Sequence, residues 1–476
     1  MQFNSINFFL FFLSFAVIYF ITPKKLKNFL FLISNLGFIY LFTNSIENVL
    51  IIIFLVFINF LLGFFSPGKF YFLIAVIVNI SLIILFKIAD LYTGTSEVIT
   101  SLIPLGYSYM IFQFISYQIE INRKRILPEK NLINFINYIT LFPKITQGPI
   151  ERPYSILPVF NSGFNGNINY DGMKQGIMLI LLGLFKKLVI ADRLAIYVNT
   201  VYNNYEEHSG ISLIVATLFF SFQIYADFSG YSDMVVGLGK ILNINFINNF
   251  ERPYMSLSIK ELWNRWHISL SHWLRDYIFL PLSYRLKAHY PGKKYFGIKA
   301  DNIFYTIVTF TTFTLCGLWH GFYFKYVIWG WIISLYLVLP FIFKKRIGNF
   351  NKKIKLNKKG YFYLAFKPVI TLLLMSLTWV FFRASDSESA FKIIAGMTKF
   401  SGSLFLGGND NSIFIYSVIG IFMLSIYELQ YEVLKKRILF FNNKNIFVRY
   451  FSYVIIIILI LVLGVFDGGQ FIYQQF

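Results

Sequence analysis

Long, almost uncharged apolar runs recur from one end of this 476-residue chain to the other, and they limit its fold more than any other feature. Early runs cover Phe8 to Thr22, Phe29 to Phe42, Leu50 to Phe65, Tyr71 to Phe86 and Leu102 to Tyr117. Late ones begin near Phe304 and continue through Tyr326 to Phe343, Phe362 to Phe382, Ile413 to Tyr427 and Val454 to Val465. A helix needs about 20 apolar residues to cross a bilayer. Inside lipid every backbone amide must be satisfied within the segment, so spanning segments of this kind are helices. Charged residues make up 14% of the chain, against about 25% in a soluble globular protein. The expected class is therefore an all-α polytopic membrane protein with roughly ten or more crossings.

The basic residues arbitrate the orientation. Lys24, Lys25 and Lys27 follow the first run, Lys69 the third, and Arg123, Lys124, Arg125 and Lys130 the fifth. Neutral or acidic turns follow the second, at Glu47, and the fourth, from Asp90 to Thr100. Basic residues collect on the cytoplasmic side, which predicts extracytoplasmic N- and C-termini, with the basic stretches 285–299, 344–359 and 435–449 in the cytoplasm. The net charge of +21 is thus assigned to loops and not to nucleic-acid binding. The first run lacks a basic start and a small-residue cleavage site, so it reads as a retained helix. The lone cysteine, Cys316, excludes an internal disulfide and reads as a buried small hydrophobe.

Between the regular ends the pattern breaks down. Residues 131–160 are interrupted by Pro143, Gly148, Pro149, Pro153 and Pro158. Clean spans run from Gly172 to Ile190 and from Ile211 to about Tyr225, but 241–284 is aromatic, amphipathic and too polar for a lipid-exposed span. We read 1–476 as a single integral domain, with N-terminal helices over 1–130, a core with re-entrant segments over 131–343, and C-terminal helices over 344–476. Ionisable groups at membrane depth are costly and mark functional sites by default.

Four strings concentrate those groups. Lys260 to Tyr277 reads as one amphipathic helix, with Trp263, Trp266, Leu270 and Trp273 on one face and Asn264, His267, Ser271 and Arg275 on another. Glu261 reaches Arg265, and His272 reaches Asp276, one turn away. The two histidines are five residues apart, which suits a helical zinc pair poorly, so no metal is expected. Cys316-Gly317-Leu318-Trp319-His320-Gly321 places a histidine between glycines at the join of two apolar spans. Tyr225 to Met234 carries Asp227, Ser229 and Asp233. It reads either as an extramembrane loop or as a broken intramembrane segment whose carboxylates line a cavity or pair with Arg265 or Arg275. Phe142 to Tyr154 reads as a re-entrant turn, and its Glu-Arg-Pro-Tyr recurs at Glu251 to Tyr254 without matching flanks.

Taken together and in this order, Phe142 to Tyr154, Tyr225 to Asp233, Glu261 to Tyr277, Gly317 to Gly321 and Trp379 to Ala384 resemble the membrane-bound O-acyltransferase family, in the bacterial branch typified by the alginate O-acetyltransferase membrane subunit. The resemblance implies a ring of about 11 tilted transmembrane helices, with short re-entrant helices around a central funnel. It implies movement of an acyl group, most simply acetyl, from a cytoplasmic thioester to an extracytoplasmic hydroxyl. The thioester, acetyl-CoA or an acyl carrier protein, is a co-substrate; no bound cofactor is expected. His320 is similar to the family's catalytic histidine and His267 to its second polar site residue. Asn264, Arg265, Ser271, Arg275, Asp227, Ser229, Asp233 and Trp319 are the expected cavity-lining set.

In that branch the acceptor is a cell-envelope polysaccharide, reached through an extracytoplasmic SGNH-type esterase partner at the bacterial plasma membrane. The absence here of a Gly-x-Ser-x-Gly elbow agrees with a partner supplying the nucleophile. A D-alanyl transferase for teichoic acid shares these strings but is usually shorter. A polysaccharide or lipid-precursor transporter would use broken helices too, but ought to show two related halves, and none is visible.

Overall fold

The computed structural model describes residues 3–91, 103–163, 168–295, 297–354, 357, 360–399, 402–408, 411–434, 443–466 and 471–472. Most of the polar stretch between Asp90 and Thr100, the basic triplet Lys435, Lys436 and Arg437, and the last residues of the chain lie outside them. The described chain is helical, apart from a hairpin of two-residue strands, β1 (Lys294–Tyr295) and β2 (Ile298–Lys299). Nine of its helices are long and apolar enough to cross a membrane among the described residues, and Ile6–Ile21 is a shorter apolar helix.

The chain divides into two compact units. The first comprises 1–184, 231–248 and 470–475, the second 185–230, 249–469 and 476. In the first unit, α1 (Ile6–Ile21), α2 (Lys27–Thr43), α3 (Ile46–Phe65) and α4 (Lys69–Asp90) precede α5 (Tyr107–Asn122), α6 (Leu132–Thr140), α7 (Pro153–Asn161) and α8 (Tyr170–Leu184). Ser5 and Ser45 cap α1 and α3 by accepting from the first-turn amides of Phe8 and Asn48, which meets the need of an otherwise orphaned helix start. Leu10, Phe54 and Leu73 are exposed, as lipid-facing positions must be, because hydrocarbon rewards apolar surface that water would penalise. Inward, polar side chains pair with one another. Asn79 donates to Asn59 Oδ1 at 2.7 Å, and Gln118 donates to the Asn59 carbonyl at 2.9 Å. Asn35 donates to Asn137 Oδ1 at 3.1 Å, and Asn28 to Asn134 Oδ1 at 2.7 Å.

The second unit begins with a π-helical turn, Phe185–Ala191, then α9 (Asp192–Asn203). α10 (Gly210–Ile241) is one unbroken helix of 32 residues. The string around Asp227 is therefore neither the loop nor the broken segment expected from its polarity: Asp227, Ser229 and Ser232 are buried along the helix instead, and Asp233 is partly exposed. The expected single helix over 260–277 is also corrected. It is α11 (Ile259–Arg265) and α12 (Ile268–Leu274), separated at Trp266–His267 and followed by a π-helical turn, Arg275–Phe279. His267 adopts left-handed backbone geometry at φ 41°, which ends the helical register there. Then come α13 (Leu280–His289), α14 (Ala300–His320), α15 (Phe324–Ile342), α16 (Lys344–Lys353), α17 (Tyr361–Arg383), α18 (Ser387–Met397), α19 (Ser412–Leu434) and α20 (Ile446–Leu463). Part of the basic stretch 344–359, read as loop, is thus the helix α16.

α14 and α15 approach unusually closely. A Cβ on Gly317 would fall 2.2 Å from the Tyr326 carbonyl oxygen, and one on Gly330 would fall 2.3 Å from that of Phe313. Glycine at both positions is what permits the contact. It fixes the His320 end of α14 against the start of α15.

Candidate active site

His320 is the last residue of α14, and Gly321 continues the chain in extended geometry. The imidazole is buried among aromatic rings. Trp319 lies 4.7 Å from it between centroids, Phe382 4.9 Å and Trp329 5.4 Å, the last two nearly perpendicular at 77° and 87°. Trp379 stacks on Trp329 at 6.1 Å and sits 5.1 Å from Trp266. The strings around 266, 319, 329 and 379 therefore build one wall, although they are far apart in sequence.

His267 also borders Trp319, with its ring 6.2 Å from that indole and 4.7 Å edge-on from Phe228. It is 1% exposed. Burial pushes its imidazolium down to about 3, so the ring is neutral at physiological pH. The break after Arg265 places it there: in a continuous helix Trp266 and His267 would point to different sides, whereas here both are buried.

Other expected residues fall as follows. Ser271 accepts a place beneath the break by donating to the Trp266 carbonyl at 3.1 Å. Arg265 forms the expected pair with Glu261 at 2.7 Å and a second with Glu432 at 3.0 Å, where Arg252 joins at 2.9 Å. Asn264 is exposed, and Arg275, half-exposed, pairs with Asp276 at 2.8 Å. Ser229 is buried in α10. Asp233, on the same helix, belongs to the first unit.

The expected pairing of Asp227 with an arginine is corrected. Its ion pair is with Lys187 at 2.8 Å, and the same ammonium reaches Asp192 Oδ1, also at 2.8 Å. All three groups are buried, and Asp227 adjoins Phe228, the ring against His267. Sequence reasoning missed Lys187. The available signal was a lysine pair, Lys186-Lys187, well inside an apolar run where a cation needs a partner.

A cavity of about 580 Å³ lies along α17 and α19, lined by Phe222, Tyr254, Glu261, Pro368, Glu428 and Glu432 among others. The Tyr254 ring, which lines it, stands 5.9 Å from Trp266, and neither His267 nor His320 is among its lining residues. A larger cavity, about 870 Å³, is lined by 205–210 with Lys392, Lys399, Ser403 and Phe405 among others, and by none of the residues around His320.

Fold and site together define a polytopic helical membrane protein whose second unit buries two histidines among aromatic rings. Residues 122–385 match the family model for MBOAT, the membrane-bound O-acyltransferase family, and the chain belongs to that family. It is 32% identical to the probable alginate O-acetylase AlgI of Pseudomonas syringae pv. tomato over 347 residues, covering 70% of this chain and 62% of the relative. It is 29% identical to the peptidoglycan O-acetyltransferase of Helicobacter pylori over 362 residues, 69% of this chain and 65% of the relative. The teichoic acid D-alanyltransferase of Bacillus subtilis matches at 29% over 251 residues, 53% of this chain and 61% of the relative. The chain thus matches rather less than two thirds of the length of these curated relatives.

Proposed function

We propose that this chain transfers an acyl group, most simply acetyl, from a cytoplasmic thioester to a hydroxyl acceptor destined for an extracytoplasmic polysaccharide. The observation that carries the reading is His320, buried in an aromatic box at a helix end, within the part of the chain that matches the acyltransferase family. Imidazole is the side chain suited to take a hydroxyl proton near neutral pH. As the acceptor oxygen attacks the thioester carbonyl carbon, His320 takes its proton. The C–S bond then breaks, and the departing thiolate takes the proton back. The dry aromatic walls keep water from competing as acceptor.

Acetyl is favoured over D-alanyl because the matches to O-acetylating relatives are longer and include higher identities. The donor is acetyl-CoA or an acyl carrier protein, attracted to a basic cytoplasmic face. A separate extracytoplasmic SGNH-type protein completes transfer to the polysaccharide. The setting is a bacterial plasma membrane with both termini outside. Reporter fusions after Lys353 and after Phe476 should read cytoplasmic and external; the same side for both would refute the topology.

The functional test is purified protein in detergent offered acetyl-CoA, an acetylated carrier protein and a D-alanyl carrier protein, with an oxygen ester as control. Consumption of one thioester, dependent on a hydroxyl acceptor, is expected. Indifference to every thioester would end the proposal.

A further inference from the structure

We propose that the indole N–H of Trp329 is a catalytic hydrogen-bond donor that receives the thioester carbonyl oxygen, and the negative charge it gains, during transfer. The proposal rests on the reading of His320 as the base. The Trp329 side chain is 1% exposed, and its Nε1 has no hydrogen-bond acceptor among the described residues. Buried indole N–H groups ordinarily find one. Rings surround this one: His320 at 5.4 Å, Phe382 at 5.7 Å, Trp263 at 5.9 Å and Trp379 at 6.1 Å.

Two residues further along α15 the same chain solves the same problem differently. Trp331 Nε1 donates to Thr314 Oγ1 at 3.0 Å. A threonine is thus supplied for an indole at the surface, and no oxygen is supplied for the one beside the histidine. The Trp329 backbone is also held firmly, because the next residue is Gly330, in van der Waals range of the Phe313 carbonyl across the helix pair. A fixed, desolvated donor next to the base is the arrangement that stabilises a developing oxyanion, since it need not reorganise as charge appears.

The acceptor oxygen forms a bond to the carbonyl carbon and its proton passes to His320. The carbonyl π pair moves onto oxygen, where the Trp329 N–H meets it. Collapse restores the carbonyl and expels the thiolate with the C–S pair, and His320 returns the proton to sulfur.

The rival account of the N–H is a contact with a ring face, such as that of Trp263. The experiment replaces Trp329 with β-(3-benzothienyl)alanine, which keeps the bicyclic shape and puts sulfur where the N–H was. Trp331→Phe and His320→Ala run beside it, with acetyl-CoA as donor and a methyl glycoside as acceptor. Loss of one such donor should lower kcat about 100-fold, with KM for acetyl-CoA changed by about twofold or less. Trp331→Phe should leave both unchanged. Full kcat in the benzothienyl protein would overturn the donor while His320→Ala still reports on the base, so the two failures are told apart. A second measurement uses the wild-type protein. Its Trp329 indole ¹⁵N–¹H resonance should shift to lower field when a non-transferable ketone analogue of acetyl-CoA is added; an unmoved resonance in the bound protein overturns the proposal.

Discussion

Among the helices of the first unit, buried amides answer one another: Asn79 to Asn59, Asn35 to Asn137, Asn28 to Asn134. Around His320 in the second unit, buried polar atoms face aromatic carbon, and the N–H groups of Trp263 and Trp329 have no acceptor among the described residues. Both groups of polar atoms are buried, so both carry a desolvation cost. In the first the amide donors find acceptors within the fold, and the result is adhesion between helices. In the second the cost is left open, and the result is a place where a polar group of something else is welcome. Stability and reactivity should therefore separate by region, and substitution can show whether they do.

The largest effect is expected at the box. His320→Ala should reduce acyl transfer by about 100- to 10,000-fold while the melting temperature in detergent stays close to wild type. Full transfer by a folded His320→Ala protein would break the contrast. Next comes Lys187→Met. It leaves the Asp192 and Asp227 carboxylates buried without their ammonium, which should cost about 3–5 kcal/mol in reversible unfolding. A stable Lys187→Met protein would mean that the triad is held by something other than its charges.

The third effect depends on acid. His267 titrates near 3 when folded because burial disfavours its charged form, whereas an exposed histidine titrates near 6.5. Between those values the unfolded chain holds a proton that the folded chain refuses. The contribution is therefore complete above about pH 6.5 and is lost as pH falls towards 3, with a slope of up to about 1.4 kcal/mol per pH unit. His267→Asn should flatten that part of the stability profile, and asparagine tolerates the left-handed backbone at 267. An unchanged slope would remove His267 from the desolvated set. The smallest effect belongs to the amide region. Asn79→Leu should cost about 1 kcal/mol, the scale of interhelical hydrogen bonds in membranes, and leave kcat untouched. A loss of kcat there would sharpen the picture by showing that the first unit also bears on turnover.

The sequence made some of this legible and hid the rest for identifiable reasons. The apolar runs announced the spanning helices, and the string around His320 announced a histidine at the join of two of them, now seen at the end of α14. The break at Trp266–His267 was invisible because the 3.6-residue pattern of 260–277 continues straight through it, and no glycine or proline marks the left-handed residue. The continuity of α10 was hidden by its polarity. Asp227 looks like a loop residue until Lys187, 40 positions earlier, is known to face it. Trp329 gave no signal of its own, since aromatics are 20% of the chain, and Trp379 was marked only as part of the string 379–384; folding alone shows that the two meet.

The glycine contacts between α14 and α15 also bear on how such a sequence can drift. A side-chain clash can be relieved by a smaller residue opposite. Here the obstructing atoms are the main-chain oxygens of Tyr326 and Phe313, which every replacement at those positions would still carry. No second-site change of side chain can make room for an alanine at 317 or 330; only a shift of the helix itself can. Packing around His320 can be retuned by exchanging one side chain for another, but the spacing of the two helices that carry His320 and Trp329 is inherited as a single, uneditable distance.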